Sequence, residues 1–522
     1  MTERFTHWAD QIAARIIEEK GDKSLYTLAS GITPSGTIHF GKFREVMTTD
    51  LVARALMRRG KKVRFIYSWD DYDTFRKVPA DMPRQDMLVA SLYQPIVDVP
   101  DPHGTAESYA RHNELTLEDS APKVGVDYVE YIYQNAKYRA GDYNEMIIRA
   151  MDARDKIIML MGEFKTEEIA PDWQPLNTYC EECNRDRVSF GAYDAAAKKI
   201  SYECKLCGKK GELDLRTSRR LKLPWRIDWP MRWAYEKVDF EPGGRDHSSA
   251  GGSRDTGEVI AREIYGAAPP VYALYESIRV KGQTKKMSSS AGNGFSLESV
   301  LAVYEPEMVR WFFASYRPES MFDMAFDADV LKNYEEFDRM ERAAYDPADP
   351  DHEWARRTYE LCQLDISGKL PPTLPYQPKF RELTTIIQMF DFDLEKTRAY
   401  YAAELKTPRD ERRLAERAER AAHWLRTYAP DEFRFILNAS RRDDVKLSGA
   451  EVELMAGLKR LAAKKWNSDR ELQEAIQNLV GAAPEFYKKV YRLLLSRDRG
   501  PKLGTLIRAV GKEKILALLP DA

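Results

Sequence analysis

Two short strings in this sequence carry groups that bind phosphate. The first runs Thr33-Pro34-Ser35-Gly36 and then His39-Phe40-Gly41-Lys42. It combines a tight turn, an imidazole, a glycine and an ammonium group. It lies where an extended apolar run, Leu25 to Ser30, turns through Gly31 into a helical one, Arg44 to Arg58. Backbone N–H groups at such a turn, together with the positive end of the helix dipole, attract anions. The second string, Lys286-Met287-Ser288-Ser289-Ser290, comes about half a chain later, with Lys281 and Lys285 just before it. Its ammonium and hydroxyl donors suit a polyphosphate. His39 is placed to donate to a phosphoryl oxygen as charge builds there, and Gly41 to let a nucleotide approach the main chain. Each string alone is common in proteins. The pair points to nucleotide chemistry.

A second constellation is metal-binding. Cys180-x-x-Cys183 and Cys204-x-x-Cys207 are separated by residues 184–203. Two such pairs present four thiolates to one tetrahedral ion, and strand-forming runs between them (Val188 to Phe190, Lys199 to Tyr202) predict a hairpin that closes the site. Four ligands fill the shell, so the expected ion is structural Zn2+. Cys362, alone on a helical pattern, reads as a buried apolar residue.

The elements that must position these groups follow a doubly wound order. Strand, phosphate turn, helix and a second strand, Val63 to Trp69, occupy the start, and the acidic cluster Asp70, Asp71 and Asp73 follows at once. Polar groups at strand C-termini are where an α/β sheet binds ligands. Prolines 95, 100 and 102 interrupt this pattern, a long helical stretch from Tyr143 to Phe164 follows, and then come the cysteines. Motif-dense sequence resumes near Leu223. A helix over Thr256 to Tyr265 and a strand over Val271 to Val280 lead into the Lys286 loop. The expected fold is thus α/β: a Rossmann-type doubly wound domain (residues 1–95 and 223–295), split by a zinc-ribbon-containing insertion (96–222). A helical region (296–378) and an all-α C-terminal domain (379–522) follow.

Composition narrows the setting. A chain of 522 residues exceeds a single core. Hydrophobic content of 43% and charged content of 31% describe a globular protein. No apolar run reaches the roughly 18 residues of a membrane span, and the N-terminus lacks a secretory pattern. A cytoplasmic protein with no membrane partner is expected, in keeping with paired cysteines that suit a metal better than disulfides. The net charge of −2 makes it no polycation, so a nucleic-acid partner would need a local basic face.

In their order, the two strings resemble the His-Ile-Gly-His and Lys-Met-Ser-Lys-Ser signatures of class I aminoacyl-tRNA synthetases. Gly244-x-Asp246-His247 resembles the element that this class carries on the ribose and adenosine side. The glutamate enzymes of the class place an arginine shortly before the first signature. Here Leu28 to Thr33 has no basic residue, while Glu45 and the Asp70–Asp73 cluster supply carboxylates, so the amino-acid pocket suits a cation, lysine or arginine. The cysteine ribbon, the string Trp225 to Trp233 and the segment Gly251 to Thr256 are similar to the class I lysyl-tRNA synthetases. The arginine enzymes lack that pattern. The resemblance runs from Phe5 to Gly504 and is densest between residues 25 and 295.

It implies several things. ATP, as its Mg2+ complex, activates L-lysine to lysyl-adenylate, and the lysyl group passes to the terminal adenosine of tRNA(Lys). His39, Lys286, Ser288 and Ser289 would be catalytic. Thr33, Pro34, Ser35, His39, Gly41, Lys42, Gly244, Asp246, His247, Lys286 and Met287 would hold ATP. Gly31, Thr33, Glu45, Trp225, His247 and Tyr275, with Asp71 from the acidic cluster, would hold lysine. Ser289 stands where the common signature has a second lysine, so Lys285, Lys286 or the hydroxyls must offset the leaving-group charge. The C-terminal helices would read the anticodon through basic, aromatic clusters at Lys459 to Trp466 and Tyr487 to Arg492. Two rivals are a non-catalytic tRNA-binding relative and a nucleotidyltransferase acting on small molecules. Both signatures are kept, against the first, and the large helical C-terminus argues against the second.

Overall fold

The computed structural model describes residues 6–80, 82–164, 169–282 and 295–521. They form two compact units, one of residues 1–300, 306–324 and 346–370, the other of 301–305, 325–345 and 371–522.

The first unit is built on a parallel sheet of β1 (Leu25–Ile32), β2 (Lys62–Trp69), β3 (Glu130–Tyr133), β4 (Phe240–Gly244) and β5 (Val271–Tyr275). Their order is β5-β4-β1-β2-β3. A parallel sheet is covered on both faces, so its strands read as continuous apolar runs, and Tyr26 to Ser30 are all buried. β1 and β2 pair along their whole length, from Leu25↔Lys62 to Ile32↔Trp69. From β1 the chain winds outward to β2 and β3, then returns on the other side of β1 to lay down β4 and β5. β1 and β4 pair at Leu28↔Phe240. This reversal of winding leaves a crevice beyond the carboxyl ends of β1 and β4, the place where such sheets bind ligands.

Helix α1 (Trp8–Lys20) packs on α2 (Phe43–Arg58), and α2 packs on β1 and β2. Helix α3 (Trp225–Glu236) lays Trp229 and Trp233 against Ala29, Ile66 and Ile132, and α4 (Ser253–Glu263) packs beside it. Helix α2 is buried from Phe43 to Leu56 except at Glu45. That burial takes charge into the core. Asp50 is bound by Arg54 at 3.1 Å, by Arg310 at 2.5 Å and by the Tyr128 hydroxyl at 2.8 Å. The arginines also donate to main-chain carbonyls, Arg310 to Leu361 and Val124, Arg54 to Gln363 and Gly125. The helix Pro306–Ser315 and the segment after it are thereby tied to the sheet domain.

The insertion differs in detail from its expected form. The helical stretch from Tyr143 is two helices, Asn144–Asp152 and Arg154–Gly162, broken at Ala153. The expected hairpin gains a third strand, giving the antiparallel set Val188–Asp194, Lys199–Cys204 and Lys210–Asp214. A two-residue pair, Asn177–Thr178 with Leu221–Lys222, stands at its base. The strand expected over Val271 to Val280 is β5 plus a separate Ile278–Val280, which pairs with Phe322–Met324.

The second unit is helical. Thr407 with Asp410, and Ser448 with Glu451, form capping boxes that start the helices Pro408–Thr427 and Gly449–Ala463. Arg417, fully buried, is held by Glu305 and by Asp338 at 2.6 Å. Part of the basic surface expected to meet RNA is already paired: Lys489 with Glu451, Arg492 with Asp498 and Lys459 with Asp521. Among the described residues, no helix is long and apolar enough to cross a membrane.

The Asp50 cluster sets a stability test. Burial alone would raise the Asp50 pKa, but Arg310 and Arg54 outweigh it and hold the carboxyl below its ordinary value. Its contribution is therefore complete above the unfolded value of about 3.9 and is lost as pH falls through the lower folded one. Asp50→Asn leaves two buried guanidinium groups short of a counter-charge and should cost about 3–5 kcal/mol. Denaturation midpoints from pH 7 to pH 3 should fall steeply in the parent chain near the acid end and less so in the variant.

Candidate active site

The crevice between β1 and β4 gathers most of the residues expected from sequence. At the end of β1, Gly31 passes so close to β2 that a Cβ there would lie 2.6 Å from the Ser68 carbonyl oxygen and 2.9 Å from its Cβ. Only glycine fits. The Gly31 N–H donates to Glu45 Oε1 at 2.8 Å, and the Tyr275 hydroxyl donates to Glu45 Oε2 at 2.7 Å. Glu45 sits in the first turn of α2 and keeps an opening to solvent. Burial raises its pKa to about 7, with nearby Glu241 pushing the same way and the two hydrogen bonds opposing. No cation is bonded to it among the described residues.

Across the crevice, Trp225 and Trp229 stack at 5.1 Å, and His247 packs on both rings at 5.8 and 5.4 Å. Successive turns of α3 place these indoles in line, and the short turn Arg245–His247 at the end of β4 brings the imidazole to them. Thr33 donates from Oγ1 to Asp73 Oδ2 at 2.9 Å, and Asp73 Oδ1 lies 3.2 Å from the Lys222 ammonium. Asp71 is placed differently. It accepts from the Asn135 main-chain N–H at 2.7 Å and from its side chain, which commits it to the start of the helix Gln134–Ala140. The acidic member nearest Thr33 is Asp73.

The phosphate turn is rigidly held. The carbonyl of Pro34 accepts from Asn113 at 3.2 Å, and that of Ser35 accepts from the Tyr109 hydroxyl at 2.9 Å. His39 begins the single turn Phe40–Lys42 that leads into α2, so Gly41 and Lys42 sit at the positive end of a long buried helix. His39 is buried, its Nδ1 has no hydrogen-bond partner among the described residues, and burial lowers its pKa to about 4, with Lys42 adding to the effect. Gly244 accepts from Ser248 at 3.1 Å, and Asp246 is exposed at the crevice side of the same turn. Lys286, Met287, Ser288 and Ser289 lie outside the described residues.

The four cysteines come together. Cys180 and Cys207 sulfurs are 3.6 Å apart, as are those of Cys183 and Cys204, and all four lie within 4.8 Å of one another without a disulfide. A tetrahedral ion with sulfur at about 2.3 Å requires sulfur spacings of roughly 3.8 Å, so the donor set matches one ion in size and chemistry.

A family model described as "tRNA synthetases class I (K)" matches residues 6–365. The chain belongs to the class I lysyl-tRNA synthetases. It is 41% identical over 97% of its length to a lysine–tRNA ligase of Borrelia garinii subsp. bavariensis, of which 98% is covered. It is 39% identical to that of Treponema pallidum, with 99% of each chain covered, and 36% identical to that of Thermococcus kodakarensis, with 98% and 99% covered. Spirochaete and archaeal sequences thus share this chain's full span.

Within this synthetase the reading from sequence missed Lys222, Trp229 and Glu241 as parts of the crevice wall. The Trp225-x-x-x-Trp229-x-x-x-Trp233 spacing carried the signal for the second, since i, i+4 residues share a helix face. Nothing local to Lys222 or Glu241 marks them.

The state of His39 is directly measurable. Burial disfavours the imidazolium, so below neutrality the ring should stay neutral where an exposed histidine charges near pH 6.5. Histidine side-chain NMR, assigned with His39→Gln, should show no titration of this ring between pH 8 and pH 5.

Proposed function

We propose that this synthetase activates L-lysine with ATP and transfers it to tRNA(Lys), with Glu45 as the partner of the lysine side-chain ammonium. One observation carries the reading. Glu45 is a carboxylate fixed by Gly31 and Tyr275 at the switch-point crevice, and among the described residues its ionised form has hydrogen bonds but no ion pair, with Lys42 offsetting its charge only in part. An ammonium group seated there supplies the missing charge, whereas a substrate carboxylate would face a second one. The aliphatic part of lysine has Trp225 and the Trp229 wall to lie against, and His247 closes that side.

The nucleotide binds along the turn from Thr33 to Lys42 and across to Gly244, Asp246 and His247. A carboxylate oxygen of lysine attacks the α-phosphorus, and the bond to pyrophosphate breaks. Neutral His39 offers an N–H to the phosphoryl oxygens without adding a full charge in the ground state. The Gly41 and Lys42 end of α2 and the Lys286–Ser289 loop offset charge on the leaving pyrophosphate, which Mg2+ accompanies. The terminal hydroxyl of tRNA then attacks the lysyl carbonyl, and AMP departs. Of the acidic cluster, Asp73 is the member bonded to Thr33, while Asp71 is bonded to Asn135. Zn2+ is assigned to Cys180, Cys183, Cys204 and Cys207, where it stabilises the insertion and takes no part in the chemistry. The helices of residues 379–522 are assigned to the anticodon.

Two outcomes follow. In aminoacylation with varied lysine, Glu45→Gln should raise KM for lysine by 10²-fold or so, as loss of a charged partner implies, with KM for ATP nearly unchanged. Because Glu45 must ionise to receive the cation, KM for lysine in the parent enzyme should climb as pH falls below about 7, by up to tenfold per unit, and Glu45→Gln should lose that slope. A lysine KM indifferent to both would sink the assignment. Elemental analysis should separately find about one zinc per chain, removed by Cys180→Ser together with part of the thermal stability.

A further inference from the structure

The insertion does more than carry an ion: it grips the loop behind the amino-acid pocket. The Tyr179 hydroxyl, one residue before Cys180, donates to the Tyr72 carbonyl at 2.7 Å and lies 3.1 Å from Thr74 Oγ1. Asp186, in the turn after Cys183, accepts from Thr74 at 2.8 Å and from Arg76 at 3.0 Å. The strand pair at the base of the ribbon ends in Lys222, whose residue is only 6% exposed. Its ammonium is 2.6 Å from Asp228 and 3.2 Å from Asp73 Oδ1. The other oxygen of Asp73 accepts the Thr33 proton. Thr33, Asp73, Tyr179 and Lys222 all line one cavity of about 390 Å³, which Trp225 also borders.

From this continuous set of contacts we infer that Lys222 and Asp73 are positioning residues, through which the cysteine ribbon orients the Thr33 hydroxyl at the amino-acid pocket. The inference rests on the pocket reading given above. Its logic is directional. With Oδ1 held by Lys222, Asp73 turns Oδ2 to Thr33 and takes its only proton. Thr33 then meets the crevice as a hydrogen-bond acceptor, suited to an N–H group of the amino acid. Without Lys222, the Asp73 carboxylate is free to rotate, the Thr33 proton is no longer directed, and the hydroxyl loses that polarity. The cost falls mainly on binding the amino acid, because Thr33 is one of many groups along the turn to Lys42 and at Gly244, Asp246 and His247 that are proposed to hold ATP.

Tests use the full chain with its tRNA, measuring aminoacylation against lysine and ATP separately, with metal content and melting recorded for every variant. Asp73→Asn and Lys222→Met should each raise KM for lysine about tenfold while KM for ATP stays within about twofold. Lys222→Arg should recover part of the loss. In Thr33→Val the acceptor is already gone, so adding Lys222→Met should raise KM for lysine no further. Tyr179→Phe, which loosens the ribbon's grip without touching the relay, should move KM for lysine in the same direction by less. Equal changes in both KM values, or fold-changes of Thr33→Val and Lys222→Met that multiply, would overturn the inference and leave a merely structural lysine. Should Lys222→Met fail to fold, Asp73→Asn decides alone, because the Asp73 side chain is 33% exposed and tolerates an isosteric change. A normal lysine KM in the Asp73 and Lys222 variants, beside a raised one in Glu45→Gln, defeats the relay but spares the pocket reading. Normal values in all three defeat the pocket reading itself.

Discussion

Helix α2 lies almost wholly inside the first unit, and everything at the site depends on what it carries there. Two of its carboxylates, five residues apart, meet opposite electrostatic fates. Asp50 has two guanidinium groups and a phenol, and its charge is secured well into acid. Glu45 has an amide, a phenol and a neighbouring carboxylate, and its charge is in question near neutrality. The helix thus has its middle anchored by satisfied ions and its first turn held with an unmet electrostatic demand. Low polarity makes both states expensive to disturb. The same burial sets the backbone N–H groups of its first turn at the crevice, where the positive end of the helix dipole favours anions.

What could be read from sequence was whatever local rules govern. The phosphate turn, the alternation of strand and helix and the four thiolates each have a short-range signature, and all appear in the fold. The glycine before the turn was legible as well, but its reason was not, since the obstacle is Ser68 on the neighbouring strand. Side-chain direction was the weak point. Asp70, Asp71 and Asp73 look alike as a string, yet Asp70 binds Arg232, Asp71 serves Asn135, and only Asp73 reaches Thr33. A loop of three aspartates has no periodicity from which to read such a division. Lys222 was invisible for the related reason that its partners come from three separate segments. The break at Ala153 was missed because no Gly or Pro announces it, and the third ribbon strand because Lys210–Asp214 is short and charged, although Gly208, at a φ of 74°, turns the chain before it.

The insertion is often the part of a split domain with most freedom to vary, because its ends must meet the sheet and little else. In this chain its base is bound into the sheet domain by polar contacts on both sides of the cysteine cluster. The fold of the ribbon around its four cysteines and the shape of the crevice are therefore not independent variables of the protein.

Gly31 has an evolutionary consequence. In this chain, a side chain at position 31 would collide with the main chain of β2 before it reached the crevice. Position 31 is thus closed to any side chain unless the spacing of two central strands changes as well. This part of the crevice wall is set by backbone geometry, which mutation alters less readily than any one side chain.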